Sequence, residues 1–285
     1  MKPDTTHKPT RRQFFLAAAA ATAVGTLRPN SARAAEGCSL GKAQFQLGLA
    51  SYSTRKFSLE ETLAMSNRVG LKYICLKSFH LPLDSTPEQI AQAVAKVKEA
   101  GMVLYGGGVI GMRDAKAVDQ AFDYAKAAGM KTIVGVPEPK LLPLVDKKVK
   151  EYDIAVAIHN HGPGDKTYPS PESAYEKIKD LDKRIGLCMD IGHTVRYGEC
   201  PIRDARRFAD RLLDIHLKDV SEASKKGYTV EIGRGIIDIP AFLRALVEIK
   251  YSRVASFEYE KDPDDPLAGL AESVGYVKGV LATIT

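Results

Sequence analysis

Short apolar runs alternate with longer amphipathic stretches from Gln44 to Leu281, at a spacing of about 30 residues, and few folds accommodate that rhythm. The apolar runs Gln44 to Ala50, Lys72 to Leu76, Val103 to Val109 and Lys131 to Val136 read as strands. Ile154 to His159, Ile185 to Asp190, Leu212 to Leu217 and Val254 to Phe257 continue the series. Between them lie helix signals. Ser58, with Glu61 three residues on, opens a helix to Val69, and Thr86 before Pro87 opens one closed by Gly101. Gly129 stops Ala115 to Ala128, Ser170 opens Pro171 to Leu181, and Asp238 opens a helix to Ile249. Leu141 to Glu151, Ile202 to Ala209 and Leu267 to Leu281 complete the set. Eight strand-helix units predict an α/β chain folded as a (β/α)8 TIM barrel, with an open doubly wound sheet as the alternative. The glycines at 106 to 108 lack the spacing of a dinucleotide fingerprint.

Residues 1–34 read as a removable leader, and residues 35–285 as one barrel domain. Thr10-Arg11-Arg12-Gln13-Phe14-Phe15-Leu16 is a twin-arginine pattern, followed by the apolar stretch Ala17 to Val24 and a small-residue cleavage site, Ala32-Arg33-Ala34. The expected destination is the periplasm. An uncleaved anchor is the alternative, but the apolar stretch is about half the ~20 residues a span needs, so no stable membrane insertion is expected. The leader holds Lys2, Lys8, Arg11, Arg12, Arg28 and Arg33 against Asp4 alone, while the whole chain carries a formal charge of +6. Without it the protein is nearly neutral and loses a basic nucleic-acid footprint. Of the four cysteines, Cys75 and Cys188 lie inside apolar runs and read as buried thiols, with Cys38 near the mature terminus and Cys200 in a loop.

Chemistry concentrates where the strands end. CMDIGH ends an apolar run in Asp190, LLDIHLKD leaves His216, and VASFEYE leaves Glu258. Each would stand on one rim of a barrel, where acids and imidazoles from several strands can share a divalent cation: Mn²⁺, Mg²⁺, Co²⁺ or Zn²⁺. Glu138, ending the fourth strand, and His159, ending the fifth, are the candidates for a fourth ligand. In HNH, His159 and His161 share one face of an extended chain, leaving one histidine free to move a proton. His193 and Arg196 in GHTVRYG, Lys77 and His80 in CLKSFH, Lys218 in HLKD and Arg234 in EIGRGIID are candidates for binding substrate oxygens.

These motifs, CMDIGH, DIHLKD, GRGIID and SFEYE, resemble the xylose isomerase-like barrel superfamily, often labelled sugar phosphate isomerase/epimerase, over about Phe45 to Leu281. The resemblance implies metal ligation by Asp190, His216 and Glu258. Epimerases of that family usually carry a metal-binding glutamate at the end of strand five, where this chain has His159, and the HxH pattern is similar to the inosose dehydratase branch. The expected activity is a metal-dependent sugar isomerase or epimerase that abstracts a proton next to a metal-bound carbonyl, with His159, His161 and Glu258 as catalytic groups. The alternative is a lyase that expels a β-substituent from a 3-keto-glycoside or keto-inositol. A non-catalytic sugar-binding protein is a third reading. The expected partner is a small sugar or keto-sugar, with no nucleic acid and the oligomeric state open.

Overall fold

The computed structural model of the chain describes residues 42–284; the leader and Cys38 lie outside them. Eight strands close a barrel: β1 (Gln46–Ala50), β2 (Tyr73–Leu76), β3 (Val103–Met112), β4 (Thr132–Pro137), β5 (Ala155–His159), β6 (Ile185–Asp190), β7 (Leu212–Leu217) and β8 (Val254–Phe257). Their order around the wall is β1-β8-β7-β6-β5-β4-β3-β2, every neighbouring pair parallel. The (β/α)8 barrel read from the sequence is therefore the observed fold. Nine helices pack outside it among the described residues: α1 (Leu59–Arg68), α2 (Pro87–Glu99), α3 (Ala115–Ala127), α4 (Leu142–Tyr152), α5 (Pro171–Ile178), α6 (Ile191–Tyr197), α7 (Pro201–Arg207), α8 (Ile239–Glu248) and α9 (Leu267–Ile284).

The helix starts follow local chemistry. Ser58 and Glu61, and Thr86 and Gln89, form reciprocal capping boxes that satisfy the free N–H groups of α1 and α2. Ser170 and Asp238 cap α5 and α8 as their sequence positions suggest. Each helix then buries one apolar stripe against the barrel, such as Val118, Phe122 and Ala125 of α3. Although α9 has the length and hydropathy of a membrane span, its Leu270, Val274 and Val277 are buried in the same core as the barrel strands.

At the opposite end of β6 and β7 from the charged rim, Arg211 is almost fully buried and donates to the carbonyls of Lys179, Leu181, Asp182 and Ile185 at 2.7–2.9 Å. It satisfies the end of α5 and the chain entering β6, groups that would otherwise be buried without donors.

Two connections carry structure of their own. GHTVRYG, which follows β6, is helix α6, with Asp190 as its cap and Gly198 ending it at φ 94°. The long connection after β7 holds a small antiparallel ribbon, Asp219–Val220 against Thr229–Val230. Its organiser is the buried Asp219 carboxylate, which accepts from the backbone N–H groups of Val220, Gly233, Gly235 and Ile237. The GRG turn is thus folded around an acid, and a Cβ at Gly235 would meet Asp219 Oδ1 at 2.1 Å.

Parallel registry sets the rim. His159 pairs with Cys188, Cys188 with Asp214, Asp190 with His216, and His216 with Ser256. Because side chains alternate along a strand, Asp190 and Cys188 share one face, as do His216 and Asp214.

Candidate active site

Four side chains from four strand ends converge. His159, Asp190, His216 and Glu258 are all buried, and one ligand atom from each lies within 4.8 Å of the others. His159 Nε2 is 3.1 Å from His216 Nδ1 and 3.7 Å from Asp190 Oδ2. Glu258 Oε2 is 3.2 Å from His216 Nδ1 and 3.9 Å from His159 Nε2. Ligands about 2.1 Å from one ion at tetrahedral or octahedral angles stand about 3.0–3.4 Å apart, so small adjustments suffice for a shared divalent cation. The donor chemistry agrees, with two imidazoles and two carboxylates and no apolar group in the set.

The backbone around Asp190 is tightly held. Asn160, on the opposite face of HNH, accepts from Asp190 N–H at 3.0 Å and donates to its carbonyl at 3.3 Å. Thr194 Oγ1 donates to that carbonyl at 2.7 Å, and Asp190 Oδ1 accepts from His193 N–H at 2.7 Å. One carboxylate oxygen therefore caps α6. The other, Oδ2, is buried and accepts no aligned hydrogen bond, although the Lys218 ammonium is 2.9 Å away.

Lys218 is 2% exposed and sits at the centre of the charge cluster. Its ammonium is 2.9 Å from Asp190 and donates to Glu258 at 2.8 Å and to Glu260. Burial alone would push the lysine toward its neutral form, but Asp190, Glu258 and Glu260 outweigh it and hold its pKa well above the ordinary value. Conversely, burial favours neutral Asp190 and Glu258. The nearby His193 imidazole and the Lys218 ammonium keep Asp190 low, and Lys218 and His216 keep Glu258 low. His159 is different: burial drives its pKa down to about 3, so its imidazole is neutral and available as a ligand. Burial also disfavours charged His216, yet Glu258 and Asp214 raise its pKa overall.

A cavity of about 290 Å³ opens beside this cluster, with Lys77, His161, His193 and Glu260 in its wall together with Tyr52 and Val109. His161 is half-buried, its ring 4.6 Å from that of His159 and its Nδ1 3.2 Å from Asp165. Arg196 Nη1 lies 3.2 Å from His193 Nδ1; since a guanidinium only donates, the ring proton belongs on Nε2, which faces Asp190 at 3.9 Å. Lys77 donates to the Val109 carbonyl at 2.7 Å, and burial lowers its pKa.

Several expectations need correction. Glu138 is not in the four-residue group: β4 ends at Pro137, Pro139 starts a short turn, and the Glu138 side chain is exposed. His159 stands in the group instead, with its Nε2 facing Asp190, His216 and Glu258. His80 does not line the cavity, because its ring nitrogens are within 3.0 Å of Ser51, Thr62 and the Phe57 carbonyl. Arg234 is exposed and paired with Glu272 of α9 at 2.5 and 2.7 Å. Arg196 stands behind His193 and outside the cavity wall.

The sequence reading also missed residues. Glu260 was signalled by its i+2 spacing from Glu258 in SFEYE. Asp214, two positions before His216, is fully buried beneath the site, where Tyr105 donates to it at 3.2 Å and burial pushes its carboxyl up to about 6. Tyr52 carried no signal. Cys75 and Cys188 are buried and free as expected, and Cys200 is free and exposed.

The profile of the xylose isomerase-like TIM barrel family matches residues 68–280, and the chain belongs to that family. An inosose dehydratase from Lacticaseibacillus casei is 29% identical over 132 residues, 41% of this chain and 44% of that protein, so the match spans less than half of the relative's length. The IOLI protein, solved with a bound zinc atom, superposes with a TM-score of 0.66 at 18% identity, covering 84% of this chain and 99% of that one. The 3-keto-D-glucoside 4-epimerase YcjR from E. coli superposes at 0.67 and 15% identity, covering 82% and 99%. At such identities the two structural likenesses concern the fold.

The four-residue group predicts one high-affinity divalent site. Calorimetric titration of metal-free protein with Co²⁺ is expected to show one equivalent bound, weakened at least ~100-fold in Asp190→Asn and His216→Ala and unchanged in Glu138→Gln. Equal binding by wild type and Asp190→Asn would remove the assignment.

Proposed function

We propose that this protein is a divalent-metal-dependent sugar isomerase or epimerase that removes a proton from the carbon next to a ketone. The observation that carries this reading is the buried His159, Asp190, His216 and Glu258 group opening onto a cavity whose wall holds a separate histidine. A cation held by those four residues would supply Lewis-acid polarisation of the sugar oxygens. Two imidazoles favour Mn²⁺, Co²⁺ or Zn²⁺ over the oxygen-preferring Mg²⁺. The IOLI protein with its zinc atom supports a metal site on this fold.

His161 is the proton acceptor in this account. It reaches the cavity, belongs to none of the metal-holding groups, and has Asp165 beside Nδ1 to steady the imidazolium that forms. The proton taken up by His161 can be delivered to the adjacent carbon to complete an isomerisation. An epimerisation instead needs a second acid at the same carbon, a place open to Glu260, past the end of β8 in the cavity wall, once it has taken a proton from solvent. The Lys77 ammonium and the His193 Nε2–H face the same space and can donate to oxygens where negative charge develops. Lys218 keeps Asp190 and Glu258 ionised throughout the reaction.

A lyase reading begins with the same proton removal but then expels a β-substituent. The sequence similarity to inosose dehydratase favours it, as does an imidazole where epimerases of the family carry glutamate. Incubation of metal-loaded enzyme with a ketose in D₂O is expected to give exchange beside the carbonyl, reduced at least ~100-fold in His161→Gln with metal affinity retained. Full exchange by His161→Gln would exclude this base. Release of a leaving group from a 3-keto-glycoside without epimerised product would favour the lyase.

The twin-arginine pattern at residues 10–16 supports export of the folded, metal-loaded enzyme to the periplasm. Cell fractionation of an Arg11→Lys, Arg12→Lys double variant is expected to leave the protein in the cytoplasm; an unchanged distribution would contradict this route.

A further inference from the structure

We infer that the rim beyond β2 is a subsite for a second ring, so that the preferred substrate is a glycoside carrying a ring-shaped aglycone rather than a free monosaccharide. This rests on the keto-sugar reading above. At about 290 Å³ the cavity is just below the ~300 Å³ at which ligand sites commonly begin, so a second ring is best accommodated toward its edge. Phe79 stands at that edge, two residues beyond the cavity residue Lys77, and is 44% exposed.

A single exposed phenylalanine needs no explanation, but this one belongs to a braced aromatic pair. The Phe79 ring is 6.1 Å from that of Tyr52, which itself forms part of the cavity wall, so the aromatic surface runs from the cavity to the rim. Both rings are fixed from behind. Phe79 packs against the edge of His80 at 4.7 Å and 73°, and His80 is in turn held by Ser51, Thr62 and the Phe57 carbonyl. The Arg55 guanidinium lies 4.8 Å over Tyr52 and donates to the Tyr52 and Glu260 carbonyls.

His80 thus buttresses the rim without touching the reacting centre. An aromatic surface held in place loses little freedom when a flat ring stacks on it, and both a phenyl group and the C–H face of a pyranose offer such a ring.

The experiment compares 3-keto-D-glucose with phenyl 3-keto-β-D-glucopyranoside as ligands of the metal-loaded protein, by calorimetry. Wild type is expected to prefer the phenyl glycoside by about tenfold. The preference should fall to near unity in Phe79→Ala and be retained in Phe79→Tyr. An undiminished preference in Phe79→Ala overturns the subsite, as does a wild type without preference. If neither ligand binds to wild type, the keto-sugar reading itself fails and the subsite with it.

Discussion

Two carboxylates, Asp190 and Glu258, are buried at the end of a barrel and need positive charge beside them. Left alone in a low-dielectric interior, each would cost several kcal/mol or take up a proton. The Lys218 ammonium meets both, but with Glu260 beside it three carboxylates face one lysine, a surplus of negative charge that a bound cation would offset. Two neutral-capable imidazoles, His159 and His216, fill the space between the acids. The strands that present them, β5, β6, β7 and β8, are consecutive neighbours in the wall, so registry fixes their relative heights.

That arrangement separates two tasks. Side chains turned away from the cluster hold it in place: Asn160 grips the Asp190 backbone, Arg196 orients His193, and Asp219 gathers the loop after β7. The groups facing the cavity, Lys77, His161, His193 and Glu260, remain able to meet a ligand. Such precision comes from rigid strand ends, whereas substrate discrimination belongs to the rim and loops around them.

The barrel was legible because its signals are local. Strand periodicity and caps such as Ser58–Glu61 need only a few residues to act, and the ends of β6, β7 and β8 carry their acids and imidazole at the strand termini. Helix α6 was hidden because Gly192, Thr194 and Val195 are weak helix formers. Its start depends on the Asp190 cap and on Asn160, thirty residues away in sequence. Glu138 obeys the same strand-end rule as Asp190, but the flanking prolines turn its chain aside. Arg234 and Glu272 pair across a sequence separation of 38, and His80 meets Ser51 and Thr62 from other elements. Lys218, expected at a substrate oxygen, is buried among three carboxylates and outside the cavity wall, because its acidic partners come together only in the folded barrel.

If the four buried groups share one cation, anomalous diffraction at the manganese edge from crystals soaked in Mn²⁺ should show one peak within bonding distance of His159 Nε2, Asp190 Oδ2, His216 Nδ1 and Glu258 Oε2. A peak elsewhere on the molecule, or none at saturating Mn²⁺, would mean that they do not.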